Sequence, residues 1–206
     1  MERTFFDTPI LKHLLRWVSI ASLKLFGWQI KGDFPNIPKF VIIAAPHTSN
    51  WDLPLMLICV FYFRAKIYWM GKSSIFNKPF GTICKWMGGI PIDRSKTNNV
   101  VEQSVNQFNK KEQLALTVPP TGTRKKVIKW KTGFYHIAND AKVPIALSFL
   151  DYKTKTAGFG PLFYPTGDIV ADMKEITRFY IGMEGKNPGS IEPIPELPVF
   201  EAPEFP

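Results

Sequence analysis

The sequence predicts a single α/β domain with a largely parallel central sheet flanked by helices, and with an amphipathic helix near its start. Short β-branched apolar runs alternate with segments of helical periodicity, an order typical of parallel sheets because each crossover between parallel strands needs a long connection. The length of 206 residues suits one domain with a substantial core. We therefore divide the chain into a helical segment (1–30), a central domain (31–184) and a Pro-rich tail (185–206).

The first helix is predicted over residues 10–28. Its apolar residues recur near helical spacing at Leu11, Leu14, Leu15, Val18 and Leu25. Lys12, Arg16 and Lys24 form a basic opposite side and interrupt the apolar stretch, which falls short of the ~18 apolar residues of a membrane-spanning helix. Two interpretations remain open: an interfacial helix lying in an anionic membrane surface, and an ordinary helix packed on the core.

Strands and helices alternate through the central domain. The run 40–45 (FVIIAA) is short and β-branched, as buried strands are, and the apolar segment 51–62 reads as a helix with Ser49 or Asn50 as its cap. Further strands are predicted at 65–70, 90–92, 114–118 and 143–150, and further helices at 78–87, 95–111 and 132–142. The tail is rich in Pro and Glu, which predicts a segment that wraps the surface or is disordered.

The composition limits the class of partner. A net charge of +9 with 45% hydrophobic residues indicates an apolar-rich body with a basic surface, and hence an anionic partner. An anionic membrane, a phosphorylated small molecule and nucleic acid all fit that charge, but the basic residues are not interleaved with a motif that reads nucleic acid. Cys59 and Cys84 lack the spacing of a metal site or a disulfide framework, so we expect buried free thiols and no metal.

Among the three histidines, His47 has the most informative surroundings, whereas His13 and His136 are expected to be structural. On one continuous helix the five positions from His47 to Asp52 would turn by about 500°, and the two side chains would point apart. They meet only if His47 lies in a loop before the helix, which Pro46 favours. Asp52 would then orient the imidazole and stabilise the imidazolium while the other ring nitrogen takes a proton.

The segment 46–52 (PHTSNWD) resembles the His-x4-Asp block of the glycerophospholipid acyltransferases, the group that includes 1-acylglycerol-3-phosphate acyltransferase. Further blocks resemble the family's in the same order: Gly71-Lys72, 88–94 (GGIPIDR), 120–124 (PTGTR) and 143–145 (VPI). The resemblance covers residues 40 to 150 and implies the acyltransferase fold. It makes 31–184 an acyltransferase domain, and the amphipathic pattern makes 1–30 the expected membrane-associating segment.

The activity that the resemblance implies is transfer of a fatty acyl group from acyl-CoA or acyl carrier protein to a hydroxyl of a lysophospholipid such as 1-acylglycerol-3-phosphate. His47 is then the general base and Asp52 its partner. The implied substrate-binding residues are Lys72, Arg94, Thr121, Gly122, Thr123 and Arg124. We expect no cofactor beyond the thioester co-substrate, and a peripheral or monotopic protein on the cytoplasmic face of an anionic membrane.

One position departs from the family pattern. Thr121 stands where the family usually has Glu, and its hydroxyl can hydrogen-bond but is shorter and uncharged. The alternative hypothesis is therefore a non-catalytic or diverged lipid-binding protein of the membrane surface that keeps the same fold.

Overall fold

The structure, a computed structural model, describes residues 4–77, 79–93, 97–121 and 130–187. Within these ranges seven strands form one sheet: β1 (Gln29–Lys31), β2 (Lys39–Ala45), β3 (Tyr68–Lys72), β4 (Gly89–Ile92), β5 (Leu114–Thr117), β6 (Ile145–Asp151) and β7 (Thr156–Phe163). The α-helices of the same ranges are α1 (Pro9–Phe26), α2 (Asp52–Phe63), α3 (Gly81–Trp86), α4 (Thr97–Lys110), α5 (Gly133–Asp140) and α6 (Ile169–Phe179). The predicted α/β domain with a largely parallel sheet is confirmed.

The strands lie side by side in the order β1-β7-β6-β2-β5-β3-β4. All neighbouring pairs are parallel except β6 and β7, which form an antiparallel pair. The carboxyl ends of β2, β3, β4, β5 and β6 therefore meet at one edge of the sheet. Ligands of open α/β sheets bind at this edge, so we expect a functional site in the loops that follow these strands.

Alternate residues of each strand face opposite layers of the molecule. Val41 and Ile43 of β2 belong to a core cluster that includes residues of α4, α5 and α6, whereas Phe40 and Ile42 belong to a second cluster beside α1 and α2. Helices thus cover both faces of the sheet. This arrangement explains why β2 is apolar throughout, without the alternation of a half-exposed strand.

Helix α1 has two apolar sides. Leu11 and Leu15 pack against the core cluster next to α2, and Leu23 is buried in a third cluster. Arg16, predicted on a basic side away from the apolar residues, instead donates from Nη1 to the backbone oxygen of Tyr62 at 2.9 Å. The Arg16 guanidinium is half-buried there, and it gives a hydrogen-bond donor to a backbone carbonyl near the C-terminal end of α2.

The opposite side of α1 carries a row of exposed apolar residues at positions i, i+4, i+7, i+8 and i+15, which fall on one helix face. Their exposed fractions are 83% for Ile10, 58% for Leu14, 70% for Trp17, 51% for Val18 and 80% for Leu25. We call these five residues the exposed row. Among the described residues, no helix is both long and apolar enough to cross a membrane.

Three elements were not predicted from the sequence: β1, β7 and α6. β1 is only three residues long, and β7 contains Gly158, Gly160 and Pro161, which weaken a strand pattern. Of the two free thiols, Cys59 is buried as expected, but Cys84 is only partly buried because α3 is a short helix at the surface.

Candidate active site

The loop between β2 and α2, residues 46–51, carries the predicted catalytic histidine. Neither Ser49 nor Asn50 caps the helix as predicted, because the capping position is Trp51. Ser49 Oγ instead accepts a hydrogen bond from the backbone N–H of Trp51 at 3.1 Å. The first residue of the helix, Asp52, turns its carboxylate back over the loop and accepts hydrogen bonds from loop amides.

The Oδ2 atom of Asp52 joins the loop to the histidine. It accepts hydrogen bonds from the backbone N–H groups of Thr48 at 2.8 Å and Ser49 at 2.9 Å, and it lies 3.0 Å from His47 Nδ1. The contact predicted between the two side chains is therefore confirmed. Because the carboxylate is an acceptor, Nδ1 of the neutral ring carries the proton, and Nε2 is left as the basic nitrogen.

The Oδ1 atom of Asp52 is held from another part of the chain. The hydroxyl of Tyr152, the residue after β6, donates to it at 2.9 Å. Burial of the Asp52 side chain, which is 3% exposed, works against ionisation. The hydrogen bonds from His47, Ser49 and Tyr152 outweigh burial and hold the pKa of Asp52 below its ordinary value, so the carboxylate is ionised at neutral pH.

A second segment, residues 184–187, crosses over the same loop, and we call it the strap. Asn187 donates from its backbone N–H to Thr48 Oγ1 at 3.2 Å and from Nδ2 to the Thr48 carbonyl at 2.9 Å. Gly185 lies so close to Thr48 that a Cβ atom there would be 2.4 Å from Oγ1. Lys186 places its ammonium 4.4 Å from the centre of the exposed Trp51 ring. The strap therefore packs against the loop at Thr48 and Trp51.

Two of the predicted substrate-binding residues are described, and both lie at the carboxyl edge of the sheet. Lys72 is the exposed last residue of β3, and Thr121 is buried in the loop after β5. Since β5 is the neighbour of β2, and adjacent strands are about 5 Å apart, the loop of Thr121 emerges next to that of His47. Arg94, Gly122, Thr123 and Arg124 lie outside the described residues.

The sequence motifs did not identify the side chains that support the His47–Asp52 pair from distant parts of the chain. Tyr152 is 100 positions from Asp52, and Asn187 is 139 positions from Thr48. No local spacing links such residues. The one signal in the sequence was that Tyr152 follows a predicted buried strand, at the edge where parallel strands place their functional groups.

Comparison with known proteins gives the family and a similar fold. The family model described as Acyltransferase matches residues 29–146, more than half of the chain. Among solved structures, the crystal structure of the 1-acyl-sn-glycerophosphate (LPA) acyltransferase PlsC from Thermotoga maritima is similar in fold, with a TM-score of 0.59 and 16% sequence identity. The match covers 82% of this chain and 76% of that chain. Among curated proteins, none matches significantly.

The family match includes β2, the 46–51 loop and all of α2, so it contains both His47 and Asp52. The fold match extends over elements outside those limits. The chain therefore belongs to the acyltransferase family, which confirms the resemblance to the glycerophospholipid acyltransferases on which the interpretation of the His47 block depends.

Proposed function

We propose that the protein transfers a fatty acyl group from acyl-CoA or acyl carrier protein to a hydroxyl of a lysophospholipid such as 1-acylglycerol-3-phosphate, with His47 as the general base. The observation that carries this proposal is the buried carboxylate of Asp52 on His47 Nδ1, at 3.0 Å. It leaves Nε2 as the proton acceptor of a ring that is 25% exposed and so within reach of a substrate. PlsC is by name a 1-acyl-sn-glycerophosphate acyltransferase, and its likeness in fold suggests the substrate class.

In the proposed reaction the acceptor hydroxyl gives its proton to Nε2 of His47 while its oxygen attacks the thioester carbonyl. Asp52 stabilises the imidazolium that forms, because it is ionised and already hydrogen-bonded to Nδ1. The tetrahedral intermediate then expels the thiolate, which takes the proton from the imidazolium. Both substrates are bound together, and no acyl-enzyme forms.

The phosphate of the acceptor would be held by the basic and hydrogen-bonding residues of neighbouring loops. Lys72 and Thr121 stand at the correct edge of the sheet, and we assign the same role to the positions beyond the described residues. These are Arg94, Gly122, Thr123 and Arg124. A guanidinium binds a phosphate through two parallel hydrogen bonds, whereas Lys72 offers a point charge.

The proposed substrates are lipids, and we place the protein as a peripheral or monotopic protein on the cytoplasmic face of an anionic membrane. The support for this placement is the exposed row of α1, since apolar side chains collected on one helix face usually mark an interaction site. Trp17 in that row suits the headgroup region, where aromatic rings with a polar edge concentrate. The net charge of +9 would add attraction to anionic lipids.

The proposal is tested by acyl transfer with the purified protein. Labelled oleoyl-CoA and oleoyl acyl carrier protein serve as donors, and 1-acylglycerol-3-phosphate and other lysophospholipids in detergent micelles serve as acceptors. We expect a diacyl product with one donor, and a loss of about 10²-fold or more in turnover for His47→Ala, since general base catalysis contributes about 10² to 10⁴.

The matched control is His136→Gln, because His136 lies on α5 and its Nε2 makes no hydrogen bond in the described part of the chain. This variant should keep wild-type turnover. If the wild type binds vesicles but shows no His47-dependent transfer from either donor, the result would favour the alternative, a non-catalytic lipid-binding protein. The specific reason for that alternative is Thr121, which stands in place of the family's Glu.

A further inference from the structure

Tyr152 is placed at the site by the sheet. It follows the last residue of β6, and β6 is hydrogen-bonded to β2 along the register that ends at Ala45 and Phe149. Its phenol hydroxyl consequently emerges at the carboxyl edge, beside the loop that carries His47. There it donates to Asp52 Oδ1, the carboxylate oxygen that His47 does not contact, at 2.9 Å.

The backbone and ring of Tyr152 are fixed by several contacts. Its N–H donates to the carbonyl of Glu184 at 2.9 Å, and its ring meets Trp28 edge-on with 5.0 Å between centroids. The preceding Asp151 accepts hydrogen bonds from the backbone N–H of Glu184 at 3.0 Å and of Lys153 at 3.1 Å. The turn between β6 and β7 is thus tied to the strap, and the phenol reaches Asp52 from a rigid support.

We propose that Tyr152 is a positioning residue for acyl transfer, which orients the Asp52 carboxylate toward His47 and limits the charge that it presents to the ring. This inference rests on the proposed function. With Tyr152 bonded to Oδ1, the plane of the carboxylate is fixed, and Oδ2 stays directed at Nδ1. Without that donor, a buried acceptor oxygen would lose its partner, and the carboxylate would be held only through Oδ2, by His47 and the amides of Thr48 and Ser49.

The charge effect follows from the same hydrogen bond. A phenol that donates to Oδ1 withdraws negative charge from the carboxylate, so Asp52 stabilises the imidazolium less than an unbonded carboxylate would. Burial, and then the hydrogen bond to Asp52, raise the pKa of Tyr152, which keeps the hydroxyl protonated as a donor.

Among the described residues, the elements that contact Tyr152 carry further titratable groups, and the adjacent Asp151 accepts the hydrogen bonds given above. Burial raises the pKa of the Cys59 thiol on α2 to about 12, so this thiol stays neutral. On the strap, the ammonium of Lys186 lies over the ring of Trp51, and Glu184 forms an ion pair with Lys153 at the surface. These groups therefore leave Asp52 as the ionised partner of the Tyr152 hydroxyl.

The test is Tyr152→Phe, which removes only the hydroxyl. We expect kcat to fall about tenfold or more, the range for a hydrogen bond to a charged group, with little change in KM for the acceptor. We also expect the acid limb of the pH–rate profile to move to higher pH, because the carboxylate then favours the protonated ring more strongly. The matched control is Tyr164→Phe at an exposed position (63%), which should leave both readouts unchanged.

A site-specific 3-fluorotyrosine at 152 gives a second measurement that does not depend on how well the Phe variant folds. The fluorinated phenol keeps the shape and is a stronger donor, so the acid limb should move in the opposite direction, to lower pH. The role of Tyr152 would be overturned if the acid limb of the pH–rate profile lay at the same pH in the wild type, Tyr152→Phe and the fluorotyrosine variant. If His47→Ala is inactive in the same assay, the proposed function still stands. Activity retained in His47→Ala would instead overturn the proposed function itself.

Discussion

Asp52 is the residue on which the hydrogen bonds of the site converge. It accepts from His47 and the loop amides through Oδ2 and from Tyr152 through Oδ1. A carboxylate with both oxygens occupied is held in one orientation, and the ring that it contacts is held with it. Changes at this residue should therefore affect both the reaction and the stability of the loop.

Asp52→Asn is expected to lower kcat by at least about tenfold, with the loss present throughout the pH range. The amide cannot balance the imidazolium charge, and it can hold the ring in the wrong tautomer. Steady-state kinetics over the neutral pH range and on either side of it would measure the change. A rate and a pH profile equal to those of the wild type would remove Asp52 from the mechanism.

The stability of the same variant should depend on pH with a defined sign. The pKa of Asp52 is lowered in the folded protein from an ordinary value of 3.8, so the ionised group stabilises the fold above that pH. This contribution is lost as pH falls through the folded-state pKa. Urea unfolding should therefore show Asp52→Asn less stable than the wild type by about 1–3 kcal/mol at neutral pH, with a smaller difference in acid. A difference independent of pH would contradict the ionised state.

Thr121→Glu tests the departure from the family pattern. Thr121 is only 1% exposed, so a carboxylate there would need a partner, and we expect it to change the preference among lysophospholipid acceptors while His47-dependent transfer stays measurable. The size-matched control is Thr121→Val. Competition between acceptors, with products separated by mass spectrometry, gives the selectivity. Identical selectivity in all three proteins would show that the position does not contact the acceptor.

At the scale of elements, helix α1 shows that an amphipathic pattern does not decide which of its apolar residues face the core. The sequence predicted a helix at nearly its observed bounds, but it placed Leu11, Leu14, Leu15 and Val18 on one apolar side. The structure divides them, because Leu11 and Leu15 pack on the core and the others are exposed. The interpretation as a core helix therefore fits one face, and the interfacial interpretation stays a proposal for the other. Deleting it would expose the core, so substitutions in the exposed row are the better test.

The variant Leu14→Gln, Trp17→Gln, Leu25→Gln should bind anionic vesicles at least tenfold more weakly than the wild type. Fully burying a large apolar side chain is worth about 1.5–3 kcal/mol, and partial insertion of three residues exceeds the ~1.4 kcal/mol that a tenfold change requires. Co-sedimentation at low and at physiological salt measures the affinity, and the loss should persist at both because salt screens only charge.

The matched control for this experiment is Val170→Gln, Ile181→Gln. These residues are 62% and 68% exposed, and they lie at α6 and just after it, on the other face of the sheet. An equal loss of vesicle binding in the control would indicate general surface hydrophobicity. It would contradict a specific role for the exposed row.

The strands and helices that the sequence predicted are those with strong local patterns. β2, β5 and β6 are continuous apolar runs, and α4 carries apolar residues at helical spacing. β1 could not be predicted, because its three residues become a strand only through pairing with β7. β7 in turn has an irregular register with β6 and a glycine, Gly158, whose φ of +152° only glycine adopts readily. Tertiary pairing, absent from local sequence, decides such elements.

At the scale of the whole molecule, the candidate site is assembled from three distant parts of the chain: the 46–52 segment, Tyr152 and the strap. The motif identified His47 and Asp52 because the pair is local. The topology of the sheet was needed to bring in the other two parts, since β6 must lie next to β2 before Tyr152 reaches Asp52. The sequence could predict the contact between His47 and Asp52 but not the support around it.

Gly185→Val should disturb the strap and lower kcat without removing either member of the pair. A Cβ at Gly185 would lie 2.4 Å from Thr48 Oγ1 and 2.5 Å from its Cγ2, closer than atoms in contact allow. Hydrogen exchange should show faster exchange of the amides of residues 48 and 49, together with a reduced kcat. Gly133→Ala is the control, because nothing lies within 4 Å of a Cβ there. Wild-type exchange and kcat in Gly185→Val would show that the strap does not brace the loop.

The strap is also the last of the three parts of the candidate site to be synthesised. During synthesis the segment from 46 to 52 leaves the ribosome long before residues 184–187, and domains generally fold as units once their parts have emerged. Until the strap arrives, Thr48 lacks its bonds to Asn187, and Tyr152 lacks its backbone bond to Glu184. A nascent chain therefore completes α1 and the 46–51 loop first, and the last contacts of the candidate site form only when residues 184–187 have left the ribosome.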